Sequence, residues 1–100
     1  EFYDAVVEKT GVEPDYVHAS SAAALIALTK AIQEAGSLDR DAVRTALQNL
    51  DITTFYGPIN FREDGMNTAR NLPLIQIQDG TPVVIFPDDV KQADMILLGE

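Results

Sequence analysis

His18, Ser20 and Ser21 are the residues whose types and spacing come nearest to a reaction. An imidazole beside a hydroxyl is raw material for nucleophilic catalysis when a carboxylate holds the ring. Here His18 and Ser20 lie in one connector, VEPDYVHASS, and no nucleophile-elbow motif surrounds either serine. Catalytic residues are therefore expected to be none. His18 is the single histidine and there is no cysteine, which excludes an H-x-x-x-H pair, thiolate ligands, a thiol nucleophile and disulfides. No glycine-rich phosphate loop occurs. EDGMN, residues 63–67, shares part of a calcium loop but lacks the alternating acidic ligands and the terminal glutamate, so it reads as a plain turn. Neither a metal nor a cofactor is expected. Tyr16, Phe55 and Tyr56 remain as ring faces, for a ligand cleft or for the core. Spacing favours the core for Phe55 and Tyr56.

The elements that must position these groups begin with EFYDAVVEKTG, a helix already under way at Glu1 and closed by Gly11. That start reads either as an amphipathic N-terminal helix with a trimmed tag or, the expectation taken here, as a chain cut from a longer protein. Pro14 disfavours helix at Glu13, and Ser20 or Ser21 is expected to cap the next helix. AAALIALTKAIQEAG then runs helical to Gly36. Ala22 to Leu28 is apolar on every face, a pattern that requires cover on several sides. SLDRDAVRTALQNL is the second main helix, with Asp39 as cap and Leu38 set to staple onto Val43. Val43, Ala46, Leu47 and Leu50 form its apolar stripe, and Arg40, Asp41, Arg44 and Gln48 its wet side.

Beyond residue 50 the pattern turns to strands. TTFYG is strand-like, Gly57-Pro58 punctuates, INF is short, and REDG is a turn with Gly65 at positive φ. LIQIQ and TPVVIF around Asp79-Gly80 form the strongest hairpin signal. Alternation puts Ile75 and Ile77 on one face and Gln76 and Gln78 on the other, so one side is expected to be covered. Pro73 and Pro82 belong at strand starts or an edge. DDVKQADMILLGE fits a short helix or a strand equally.

One hundred residues with 46% apolar and 23% charged side chains make a single small globular unit or a piece of a larger one. A net charge of −9 opposes nucleic acid and anionic membranes. No apolar run reaches the roughly 18–20 residues that span a bilayer. No basic segment followed by an apolar stretch opens the chain.

The order of these features resembles the C-terminal region of the periplasmic substrate-binding proteins of ABC transporters, in the leucine/isoleucine/valine-binding (type I) branch. The resemblance runs through the Pro14-Asp15-Tyr16 connector, the Ala-rich helix ending Ala35-Gly36-Ser37, the second helix, the Gly57-Pro58…Phe61…Gly65 turn and the final hairpin ending in Pro87. It covers almost the whole chain. Gly57-Pro58…Phe61…Gly65 is then architectural: a sharp turn, an apolar anchor and a reversal.

The resemblance implies an α/β fold: a fragment of a two-lobed periplasmic-binding-protein type I fold, two main helices followed by short strands and a β-hairpin. Residues 1–100 would be one C-terminal fragment, helical over 1–50, β-rich over 51–87, with a tail over 88–100. It implies an exported protein, with a signal peptide in its precursor and a periplasmic location, that captures a small carboxylate such as a branched-chain amino acid or aromatic acid between its lobes and passes it to the transporter permease. The ligand-facing residues it points to are Tyr16, His18 and Ser20. Ser20-Ser21-Ala22 stands where an aromatic is common in amino-acid binders, so the ligand class stays open. The rest of its own chain is the expected cover for the apolar helix, and the isolated fragment is expected to self-associate. The alternative is a stand-alone α/β interaction module without a small-molecule ligand, docking a partner protein through that helix.

Overall fold

The computed structural model describes residues 1–69, 71–97 and 99. Its architecture is mixed α/β, as expected, and divides into two compact units, Glu1–Arg70 and Asn71–Glu100. The first holds α1 (Phe2–Thr10), α2 (Tyr16–Ala35), α3 (Arg40–Gln48), β1 (Asp51–Thr54) and β2 (Gly57–Asn60). The second holds β3 (Leu74–Gln78) and β4 (Thr81–Phe86). None of the helices is long and apolar enough to cross a membrane, among the described residues.

In the first unit, α1 and α2 end at Gly11 and Gly36, as their patterns predict. α2 starts earlier than expected. Its cap is Asp15, so Tyr16, Val17 and His18 form the first turn rather than a connector, and Ser20 and Ser21 lie inside the helix. Asp39 caps α3 by accepting from the Asp41 and Ala42 amides at 3.1 and 3.0 Å. Leu38 is exposed and makes no staple. The α3 stripe holds: Val43, Ala46 and Leu47 are half-buried, Leu50 is 1% exposed, and Arg40, Asp41, Arg44 and Gln48 face water.

The buried stripe of α2 is Ala23, Ala27 and Ala31, one per turn, and α2 packs on α3 and touches β1 along it. Small side chains let the backbones approach closely. Ala27, Leu50 and Ile59 form the core, with Leu47, Ile52 and Phe61 packed around them. The large apolar residues of α2 turn outward: Leu25 is 64% exposed, and Ile26 and Leu28 are exposed too.

β1 and β2 make an antiparallel hairpin through a two-residue turn, Phe55-Tyr56. Gly57-Pro58 thus begins β2 rather than interrupting the chain. The reason lies in Thr54. Its hydroxyl donates to the Gly57 carbonyl at 3.0 Å and accepts from the Tyr56 amide at 3.2 Å, closing the reversal one residue pair earlier. Phe55 is exposed at that tip rather than in the core, and its ring stacks on Phe2 with centroids 4.6 Å apart; Tyr56 is half-buried. The following turn keeps its expected form, with Gly65 at φ 86° and its amide bonded to the Arg62 carbonyl at 2.8 Å.

In the second unit, Asp79 and Gly80 sit at φ 49° and 77° and connect β3 to β4 in two residues, a pairing that suits the strands' twist. Pro82 faces Ile77, one place beyond the closing pair Gln78–Thr81, where a strand nitrogen points away from its partner. Pro58 takes the same place opposite Thr53 in the other hairpin. The two faces of β3 reverse the expectation. Ile75 and Ile77 are exposed, whereas Gln76 and Gln78 are half-buried. The physical reason is the tail, neither helix nor strand over its described residues, which bonds to the glutamine side chains.

Candidate functional site

Asp15 organises the start of α2. Pro14 keeps the chain extended ahead of it, and Asp15 itself is extended at φ −107° and ψ −169°. Its Oδ1 accepts from the amides of Val17 at 2.9 Å and His18 at 3.3 Å. His18 reaches back: Nδ1 lies 2.7 Å from Asp15 Oδ1 and 3.2 Å from the Asp15 amide. A protonated Nδ1 donates to the carboxylate, and a bare Nδ1 accepts from the amide. Nδ1 is engaged either way. The hydrogen bond from His18, reinforced by the two backbone amides, holds the Asp15 carboxyl below the ordinary carboxylate range.

The helix end is therefore already supplied with an anion. An incoming carboxylate meets Asp15 on the amides of Val17 and His18 rather than open N–H groups. Asp15 is the neighbour of His18 that sequence reasoning missed. Its signal was present in the aspartate directly after a proline, three residues ahead of a side chain able to reciprocate.

Tyr16 is 74% exposed. Ser20 lies one turn further along the same side of the helix and is half-buried. Its hydroxyl donates to the Val17 carbonyl at 3.1 Å, leaving its lone pairs as acceptors. Two helical steps turn about 200°, so His18 leaves the axis on the side opposed to Tyr16. The structure thus brings His18 together with Asp15, puts Tyr16 and Ser20 on one face, and leaves Ser21 exposed.

Ser20 also edges a groove of about 300 Å³ between α2 and β2, lined by Ala23, Ala24, Leu28, Tyr56 and Pro58 among others. Tyr16 and His18 are not in its wall. A second groove of about 380 Å³ runs between α3 and the 61–65 turn, with Leu47 and Phe61 as apolar floor and Arg44, Arg62, Glu63 and Asp64 around it. Its charges are balanced. The Arg62 guanidinium pairs with Asp64 and holds that carboxyl below its ordinary range. Among the described residues no cluster of three or more His, Asp or Glu side chains is placed to hold a metal ion.

Comparison with known families matches residues 1–82 to the family described as periplasmic binding protein. The match takes in all three helices, both strands of the first hairpin, β3 and the first two residues of β4. It covers the Asp15-capped helix start and the Gly57–Gly65 stretch. With more than four-fifths of its residues matched and a mixed α/β architecture, the chain belongs to the periplasmic binding protein family, whose members bind solutes rather than transform them.

Proposed function

We propose that this chain forms part of an extracytoplasmic binding protein of the leucine/isoleucine/valine type, delivering an amino acid to an ABC transporter in the periplasm. The N-terminal end of α2 meets the ligand in this reading, with Tyr16 and Ser20 on one side of it and the Asp15–His18 pair on the other. Tyr16 offers a ring face and a hydroxyl, His18 offers Nε2, and Ser20 offers acceptor lone pairs. The observation that carries the choice of ligand is the Asp15–His18 pair at the helix start, 2.7 Å apart, with both side chains about half exposed at 59% and 42%. A carboxylate beside an imidazole meets both ends of an amino acid: Asp15 suits the ammonium, and a ring N–H of His18 suits the carboxylate. A plain carboxylic acid satisfies only one of them. Further residues of the same protein, or self-association, supply the cover that Leu25, Ile26 and Leu28 require.

Thermal unfolding of the protein in the presence of leucine and of 4-methylpentanoate, its deaminated analogue, separates these ligands. Stabilisation grows with ligand concentration according to the ratio of ligand to Kd. Leucine, or another apolar amino acid in a parallel panel, is expected to raise Tm well above its analogue. Equal shifts from acid and amino acid would remove Asp15 from the site, and no shift from any small carboxylate would remove the reading itself.

A further inference from the structure

The tail after β4 is fastened in an unusual way. Its own large apolar side chains are little covered: Met95, Ile96 and Leu97 are all about half exposed. Backbone pairing is also sparse. Its attachments run chiefly through the side chains of three glutamines, beside the backbone N–H groups of Gln92 and Ala93. Gln76 Nε2 donates to the Ile96 carbonyl at 2.8 Å, and the Ile96 amide donates to Gln76 Oε1 at 2.9 Å. One side chain thereby imitates a neighbouring peptide group. Gln78 Nε2 donates to the Asp94 carbonyl at 2.7 Å and to Gln76 Oε1 at 2.8 Å, locking the two glutamines together.

Gln92 works from the tail's side. Its side-chain Oε1 accepts from the Val84 amide at 2.9 Å, and its backbone N–H donates to the Val84 carbonyl at 2.7 Å, a carbonyl that the Ala93 backbone N–H also reaches at 3.3 Å. Counting from the hairpin's closing pair, Val84 opposite Ile75 occupies a slot where backbone groups point outward from β4. An outward-pointing N–H and C=O on a two-stranded sheet invite pairing with another chain. Gln92 satisfies both. Strand alternation puts Val83 and buried Ile85 on the same face as Gln76 and Gln78, beneath the tail.

We propose that residues 92–96 are a latch, held on the hairpin by Gln76, Gln78 and Gln92, whose release uncovers the β4 edge at Val84 and the Val83/Ile85 face while the hairpin stays paired. Amide–amide bonds at a water-exposed surface exchange readily for bonds to water, so the latch opens well below the free energy of global unfolding. The β3–β4 ladder has its own turn and register and does not depend on it.

Amide hydrogen exchange by NMR on the full chain tests this. The Val83 amide, in the ladder opposite Gln76, serves as the reference. Gln76→Leu is expected to speed exchange at Ile96 roughly tenfold while Val83 changes less than about twofold. Gln92→Ala, which leaves β3 untouched, is expected to do the same at Val84. Unchanged exchange at Ile96 and Val84 would show that the glutamines do not hold the tail. Equal acceleration at Val83, or loss of the folded hairpin in both variants, would show that the tail is an integral part of the unit rather than a latch.

Discussion

Two apolar surfaces of this chain, the inner stripe of α2 and the isoleucine face of β3, have opposite fates. The stripe is made of alanines and is buried against α3 and β1, with Leu50 and Ile59 beneath it. The face is made of larger side chains, Ile75 and Ile77, and is exposed, while the glutamine side of the same strand is covered. Hydrophobicity alone ranks them in the wrong order. In the first case small size permits close backbone approach, and in the second hydrogen-bonding capacity recruits the tail to cover a face. Cover depends on what can reach a surface as much as on what the surface would gain.

Substitutions sharpen or break that contrast. Leu50→Ala removes the most fully buried large side chain and is expected to cost about 2–5 kcal/mol in a denaturant titration. Ala27→Leu pushes bulk into the close contact and is expected to cost about 1–3 kcal/mol. Asp15→Ala removes a cap that serves two amides and is expected to lower stability at neutral pH by less than Ala27→Leu does. Because the folded carboxyl is shifted down from its ordinary 3.8, that contribution is fully present above this value and fades as pH falls below it. The acid limb of the stability curve should therefore flatten in the variant. Ile77→Ala is expected to stay within about 0.5 kcal/mol of the parent. A loss at Ile77 comparable to that at Leu50 would mean that the hairpin face is packed in solution and the contrast is void.

Much of this was legible in the residues. Gly11, Gly36 and Asp39 mark helix ends, the Val43–Leu50 stripe marks the buried side of α3, and Asp79-Gly80 marks a hairpin, each through a local cause. The start of α2 was not, because Tyr16, Val17 and His18 are weaker helix formers than the alanines that follow, and the Asp15 cap offsets that deficit. The Phe55-Tyr56 turn was hidden by aromatic side chains that favour strands; Thr54 decides it through one hydroxyl. The glutamine face was misjudged because its partner lies up to twenty residues away in a tail without periodicity. Of the proposed site, Tyr16, His18 and Ser20 could be singled out, while the Asp15–His18 pairing depended on a helix cap placed five or six residues too late.

The functional reading rests on the first turn of α2 meeting a ligand. Calorimetric titration of the amino acid giving the largest thermal shift, into the parent protein and into Tyr16→Ala, His18→Ala and the remote Lys30→Ala, tests it directly. Each of the first two variants is expected to weaken binding about tenfold or more, as the loss of a hydrogen bond to a charged group does, and Lys30→Ala to leave it unchanged. Parent-like dissociation constants for both Tyr16→Ala and His18→Ala would contradict the account.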